Sequence, residues 1–516
     1  MAPEAPPASA RVEAFLAAKQ AGDFLEAGLH LRRILDASPG ELLKEDLLAR
    51  ALAYPVCFAR PGQLDEYFHY LDGLVSGVHD FALLQSDPAL SARLAHGFMT
   101  GSNMRMAVHN EFNLKPFMKR RAALFDYALR AMGMPLGHAF SERPAGRRPR
   151  LGVLLKHLSR DPETISILPY FEHLDPERFD RYVIALAEGE GEFAAHLRGL
   201  GQTVILPRDL PGAAKAIREL DLDFLIFGGD ITAKPSPMAL LSFFRLARRS
   251  LTAVCTLVTT GGAQVDHYLT GSYYQARGFD QEFTETCLPA GLLGFAFSFG
   301  AGGGRPASAP PARSALSQPN RVTLVSGANF TKLNADLLQS WGRILAACPE
   351  ARLVLYPFPA HYALSQRAEV VRHIMTQIVA GGGAAGQVDI LPTIPNREMV
   401  VELTAGADLA LDSFPYPGVT TAMDHMEAGL PMVALEGARL RTSQSAAMLR
   451  SLGLDATLVR DRSSYEALAV ELVRDASRRQ SLREAVQTAF TEGVPEMMDA
   501  RAMGRRMDRL LTGLIG

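Results

Sequence analysis

From residue 150 onward the chain alternates short apolar runs with amphipathic stretches, and it does so twice. The first series is "RLGVLL" (150–155), "RYVIAL" (181–186), "TVILP" (203–207), "DFLIFGG" (223–229) and "LTAVCTLV" (251–258). After a break come "RVTLVSGA" (321–328), "RLVLYPF" (352–358), "QVDILP" (387–392), "LALDSF" (409–414) and "PMVALEG" (431–437). Between the runs, helix-period patterns fall near 164–173, 191–200, 211–219 and 235–249, then near 333–347, 363–380, 396–406, 420–429 and 443–453. Strands that are apolar on both faces and separated by helices build a parallel sheet, because each crossover helix covers the sheet that its strands enter. The pattern therefore predicts an α/β protein with two doubly wound, Rossmann-like domains in tandem.

The break sets the boundaries. "SFGAGGGRPASAPPARSALSQPN" (298–320) is rich in Gly, Ala, Pro and Ser, cannot supply a core, and reads as a flexible linker over 301–320 between domains at 150–300 and 321–516. Ahead of them, residues 1–145 carry only helix-period patterns. "RVEAFLAAKQAGDFLEAGLHLRRILDASPG" reads as two helices joined at Ala21–Gly22–Asp23, the shape of one helix-pair repeat, with further helices near 41–54, 62–76, 88–101 and 116–133. "SERPAGRRPR" (141–150) is the hinge to the first sheet. At 516 residues the chain has room for three such domains.

Charge narrows the partners. The 53 Lys and Arg nearly balance 55 Asp and Glu, so no overall field draws the chain to nucleic acid or to acidic lipid. Four scattered cysteines without a CxxC pair exclude a disulfide framework and a structural zinc site of known spacing. No signal-peptide pattern opens the sequence and no apolar run reaches the roughly eighteen residues of a membrane span, so a cytoplasmic location is expected.

Open α/β sheets bind ligands beyond the carboxyl ends of their strands, and two facing sheets make a cleft there. "FPYPGVTTAMDHMEAGLP" (414–431) follows the fourth strand of the second series and opens a helix at Thr420 or Thr421. Free amides and partial positive charge at a helix start favour phosphate, two hydroxyls add donors, and Asp424 one turn in can accept from ribose hydroxyls. Capping explains the same residues: threonine is a good N-cap, and an acid three positions later resembles a capping box. Lys332, in "GANFTKLNADLLQSW" (327–341), follows the first strand of the same series and enters the same cleft, where an ammonium offsets charge on a departing diphosphate.

Together "ANFTKLNADLLQSW", "LPTIPNREMV" and "GVTTAMDHMEAGLPMV" resemble the catalytic domain of the family 41 glycosyltransferases: the O-linked N-acetylglucosamine transferases, their SPINDLY relatives and bacterial adhesin N-glycosyltransferases. The resemblance spans about 150–490 and is strongest over 322–454. It implies a GT-B fold and transfer of a sugar, GlcNAc or another hexose, from a UDP-sugar donor to protein side chains, inverting and without a metal or other cofactor. It implies Lys332 at the donor diphosphate, Thr393 and Ile394 at the uracil, Thr420 and Thr421 at phosphate, and Asp424 at the ribose. Val419 stands where the O-GlcNAc branch usually has a histidine, while "SFPYPG" and "LYPFPAHY" resemble the N-glycosylating branch, so Ser, Thr and Asn acceptors all stay open.

The first sheet is expected to serve a protein or peptide acceptor. After "RLGVLL", the loop "KHLSRDPET" holds His157 and Asp161 at a strand's carboxyl end, candidates to take the acceptor's proton, although Asp161 before Pro162 is also an N-cap pattern. "DLD" (221–223) precedes a strand rather than ending one, so its carboxylates point away from the cleft. "HNEFNLKPFMKRR" (109–121) is basic and aromatic, as a peptide-docking face would be, but reads rather as a solvated helix face. Three rival functions remain: a small-molecule acceptor, a nucleotide-sugar epimerase, and a non-catalytic binding scaffold.

Overall fold

The computed structural model describes residues 7–37, 39–44, 46–84, 87–300, 316, 321–359 and 366–515. The expected linker, 301–320, thus lies outside the described residues except for Leu316.

The N-terminal region is helical: α1 (Ala8–Gln20), α2 (Phe24–Ala37), α3 (Leu47–Leu52), α4 (Gln63–Leu84), α5 (Pro88–Gly101) and α6 (Lys115–Ala131). Gly22, at φ 73°, makes the turn between α1 and α2, a left-handed conformation open to glycine without strain. α4 runs through the middle of this layer, burying Tyr67, Tyr70, Leu71, Leu74 and Val75 against α2, α5 and α6.

The first sheet contains, among the described residues, β1 (Arg150–Leu155), β2 (Asp180–Ala185), β3 (Gln202–Ile205), β4 (Phe224–Phe227), β5 (Arg249–Thr252), β6 (His267–Thr270) and β7 (Thr286–Pro289), all parallel in the order β3-β2-β1-β4-β5-β6-β7. Its helices are α7 (Pro162–Ile167), α8 (Gly191–Gly199), α9 (Leu210–Glu219), α10 (Pro237–Leu241) and α11 (Ser272–Gln275). Two expectations are corrected here. The helix expected over 235–249 ends at Leu241, because Arg249 already pairs with Phe224 in β5. The run 251–258 is not one strand: β5 stops at Thr252, and Thr256 N–H turns back to the Ala253 carbonyl. The "DLD" carboxylates do lie at the strand entry, where Asp223 receives the Arg150 amide and the Arg147 guanidinium.

The second sheet contains β8 (Val322–Ser326), β9 (Ala351–Leu355), β10 (Val388–Ile390), β11 (Leu409–Leu411), β12 (Met432–Leu435) and β13 (Leu458–Val459), parallel in the order β10-β9-β8-β11-β12-β13. Between and after them run α12 (Ala335–Ala347), α13 (Arg367–Ala380), α14 (Arg397–Ala405), α15 (Thr420–Glu427), α16 (Gln444–Ser451), α17 (Arg462–Arg474), α18 (Ala476–Thr491) and α19 (Ala500–Ile515). Strand order reverses between β8 and β11, so the loops after those strands frame the switch point where such sheets bind ligands. α19 returns to the first sheet's layer, where Arg178 pairs with Asp508 and donates to Thr512. No helix among the described residues is long and apolar enough to cross a membrane.

The helical region is wedged against both α/β layers. Gly261, at φ 70°, lets the loop after β5 pass so close to α6 that a Cβ there would overlap the Met118 carbonyl. On the other side Arg441 donates to the carbonyls of Val108, Asn110 and Phe112 at 2.7–2.9 Å. This corrects the reading of 109–121 as a solvated face: His109, Asn110, Phe117, Met118 and Arg121 are all buried.

Candidate active site

Lys332 sits in a one-turn helix after β8, directed there by Asn329, whose side chain caps Thr331 N–H at 3.1 Å. Its ammonium donates to the Pro417 carbonyl at 2.6 Å and lies 4.8 Å from the centre of the Tyr416 ring. Burial pulls its pKa down from 10.5 to about 8, and the nearby Asp412 carboxylate opposes that fall. Asp412 organises the loop that receives the lysine: its Oδ1 accepts Ser413 N–H at 2.8 Å and Gly418 N–H at 2.9 Å, which folds 413–418 into a tight arch containing the cis Phe414–Pro415 peptide.

That arch leads directly into α15. The first bond of the helix ladder runs from Met423 N–H to the Val419 carbonyl, and Val419 supplies no side-chain cap. The amides of Thr420, Thr421 and Ala422 therefore stand ahead of the ladder, at the positive end of the helix dipole. Both threonines are half-buried. The structure thus brings Lys332 to the arch that ends at Thr420 and Thr421.

Asp424 lies one turn further, buried, and is already engaged. Its Oδ1 accepts Arg397 Nε at 2.6 Å, and the same guanidinium also pairs with Glu427. Burial raises the Asp424 pKa to about 7, against the pull of Arg397. Among the described residues the side-chain hydrogen bond to Asp424 is the one from Arg397 to Oδ1. Arg397 opens α14, capped by Asn396 through Met399 N–H at 2.9 Å, and so draws the preceding loop with half-buried Thr393 and Ile394 toward α15. Behind them the Tyr356 hydroxyl meets His425 Nε2 at 2.8 Å, and burial lowers the His425 pKa to about 4.

Across the cleft, Asp161 caps α7 by accepting Thr164 N–H at 2.8 Å. Ser159 Oγ lies 2.5 Å from His157 Nδ1 and 3.3 Å from Asp161 Oδ2, so the three side chains form one small network at the end of β1. Arg160 on this loop pairs with Glu398 of α14 at 3.1 Å, and Phe299 is flanked by the guanidinium groups of Arg160 and Arg397 at 5.4 and 4.3 Å. These contacts hold the two lobes together beside Asp424. Among the described residues no hydrogen bond or ion pair links His157 or Asp161 to Lys332.

The group that does stand beside Lys332 comes from the helical region. His109 Nδ1 donates to the Thr331 carbonyl at 3.1 Å, and its ring lies 4.8 Å from that of Tyr416. Burial, then the charge of Lys332, lowers its pKa to about 3, so the imidazole is neutral at physiological pH, with Nε2 as its acceptor nitrogen. Sequence reasoning missed His109, Asp412, Tyr416 and Arg397. The arch "DSFPYPG" carried a local signal for Asp412 and Tyr416, in an acid and an aromatic bracketed by prolines; nothing local marks His109.

The sequence profile of Glycosyl transferase family 41 matches residues 312–504. Probable SPINDLY UDP-N-acetylglucosamine–peptide N-acetylglucosaminyltransferases are similar: that of Petunia hybrida is 29% identical over 232 residues, 44% of this chain and 24% of the relative. The Arabidopsis thaliana protein is 30% identical over 233 residues, again 44% and 24%. A Caenorhabditis elegans UDP-N-acetylglucosamine–peptide N-acetylglucosaminyltransferase is 26% identical over 208 residues, 37% of this chain and 17% of its own. The chain thus spans about a quarter or less of these relatives. Among solved structures, a lysine-to-methionine variant of the Thermobaculum terrenum O-GlcNAc transferase shares the fold over 99% of this chain and 98% of its own, with a TM-score of 0.64 and 20% identity. The shared architecture is GT-B, and residues 312–504, across the second sheet, are similar to glycosyl transferase family 41; the chain is similar as well to O-GlcNAc transferases and SPINDLY proteins.

Proposed function

We propose that the protein transfers a sugar from a UDP-sugar to side chains of a polypeptide, with inversion and without a metal. The observation that carries this reading is Lys332, a largely enclosed ammonium 2.6 Å from the arch that ends at the open amides of α15. Those are two independent sources of positive charge aimed at one place, which is the electrostatic need of a departing diphosphate. The uracil then lies along the loop of Thr393 and Ile394, and a ribose hydroxyl donates to Asp424 Oδ2, while Arg397 holds the other oxygen.

In an inverting transfer the acceptor attacks the anomeric carbon from the face opposite the leaving UDP, and its proton goes to a nearby base. Two groups fit that part. Neutral His109 stands beside Lys332, and Asp161 with His157 lies at the end of β1 on the acceptor side. Curated relatives named as peptide N-acetylglucosaminyltransferases support a polypeptide acceptor, with O-linked transfer to Ser or Thr as the first reading and N-linked transfer to Asn as the second.

The test is a transfer assay with UDP-[14C]GlcNAc and UDP-[14C]glucose against a host lysate, followed by intact mass spectrometry of the labelled protein. Label that enters protein and vanishes in Lys332→Met supports the reading. UDP binding without transfer to protein from either donor, or sugar isomerisation in place of transfer, overturns it.

A further inference from the structure

One guanidinium joins α14 to α15. Asp424 and Glu427 stand three residues apart on one face of α15, and Arg397 at the start of α14 serves both. Its Nε donates to Asp424 Oδ1 at 2.6 Å, and its Nη2 donates to Glu427. Both carboxylate side chains are only 9% exposed. Two enclosed anions thus share one cation, so the way that cation lies decides how well each is served. Glu398, next along α14, adds a third carboxylate to the surroundings of Asp424, and the Tyr356 hydroxyl also lies near it.

The first α/β domain reaches the same guanidinium. The buried Phe299 ring lies 4.3 Å from Arg397 Cζ. The backbone beside that ring is tied down: Ser298 N–H donates to the Ile165 carbonyl of α7 at 2.8 Å, and Phe297 N–H donates to the Met497 carbonyl at 2.8 Å. Arg160, from the loop after β1, approaches the ring to 5.4 Å and pairs with Glu398 at 3.1 Å. An aromatic ring this close attracts the cation and keeps water from that side, which strengthens the ion pairs the guanidinium makes elsewhere.

We propose that Phe299 is a positioning residue for the donor: through Arg397 it holds the Asp424 carboxylate in place for a ribose hydroxyl, and so couples the donor site to the first α/β domain. The proposal rests on the reading of the protein as a UDP-sugar transferase with Asp424 at the ribose. Burial raises the Asp424 pKa to about 7, and Arg397 opposes that rise. Loosening Arg397 therefore lets the carboxyl group keep its proton to higher pH, and a protonated acid is the poorer acceptor. Separation of the lobes takes the ring away from Arg397, so full donor affinity belongs to the closed arrangement.

The experiment is isothermal titration calorimetry with UDP across pH 5.5–8 on the full chain, comparing Phe299→Leu with wild type and repeating the exchange in an Asp424→Asn background. Thermal melting of each variant verifies folding. Phe299→Leu is expected to move the midpoint of the pH-dependent affinity up by about 0.7 unit, which weakens binding about threefold at pH 7. In the Asp424→Asn background the same exchange is expected to change the Kd by less than about 1.5-fold, because the group it acts through is gone. Arg397→Lys keeps a cation without the two-pronged N–H geometry and serves as the second variant, with the same two outcomes. Equal weakening by Phe299→Leu in both backgrounds marks a merely structural role and overturns the proposal, as does an unmoved midpoint in both variants. A wild-type chain that binds no UDP overturns the transferase reading and this proposal with it, whereas UDP binding that neither variant alters overturns the proposal alone.

Discussion

Exchange of Lys332 for methionine separates a ligand-binding lysine from a structural one, because the two roles predict opposite signs. Lowering the ammonium's pKa from 10.5 to about 8 amounts to about 3 kcal/mol of resistance to the charged form, at about 1.4 kcal/mol per pKa unit. Methionine keeps an unbranched chain beside Tyr416 and relieves that resistance. It loses the hydrogen bond to the Pro417 carbonyl, about 2 kcal/mol for a charged donor, and the contact with the Tyr416 ring, about 1 kcal/mol. The contributions nearly cancel, so the melting midpoint of the free protein is expected to stay within about 2 °C of wild type.

UDP affinity has no such compensation. Removing one partner of an enclosed charge pair costs about 2–5 kcal/mol, so the Kd from isothermal titration calorimetry is expected to rise at least about 30-fold. The pH dependence adds an independent check. Above pH 8 the free lysine loses its proton, and the wild-type Kd is expected to weaken about fivefold between pH 8 and pH 9, while the variant stays flat. The same lowered pKa makes the free fold gain stability as pH rises from about 8 to 10.5, where the unfolded chain still holds the proton, and lose it as pH falls back through 8. A variant that melts several degrees lower yet binds UDP within threefold of wild type would refute the reasoning.

Three further outcomes are expected. Asp424→Asn should weaken UDP binding about tenfold by losing a charged acceptor, and should abolish the decline in donor affinity expected as wild-type pH falls through about 7, where Asp424 takes up a proton; titration calorimetry across pH 5.5–8 reads both. Asp161→Asn keeps the α7 cap and removes the carboxylate, whereas Asp161→Ala loses the cap at about 1 kcal/mol; if Asp161 takes the acceptor's proton, both lower turnover about 100-fold or more while only alanine lowers stability, and unchanged turnover in Asn assigns the proton to another group. Gly261→Ala should destabilise by about 2 kcal/mol, since it combines a left-handed φ with overlap of the Met118 carbonyl, and hydrogen exchange should show α6 loosened first.

Local pattern carried the architecture and half of the site. Apolar runs separated by helical periods require parallel strands, so β1–β4 and β8–β12 were legible, while the run expected over 251–258 caught only the last two residues of β5; the places of Lys332, Thr420, Thr421 and Asp424 in the candidate site follow from where strands end and helices begin. β6, β7 and β13 were not, because "HYLT", "TCLP" and "LV" are short and too mixed to show a period, and they become strands only when a neighbour offers its edge. Tertiary structure alone decided the rest. His109 reaches Thr331 across 222 positions of sequence, Arg397 reaches Asp424 across 27, and Glu436 collects arginines from both α/β domains. The physical reason is that backbone periodicity is set by neighbours along the chain, whereas the burial of a charge and the partner that offsets it are set by whichever segments the fold packs against it.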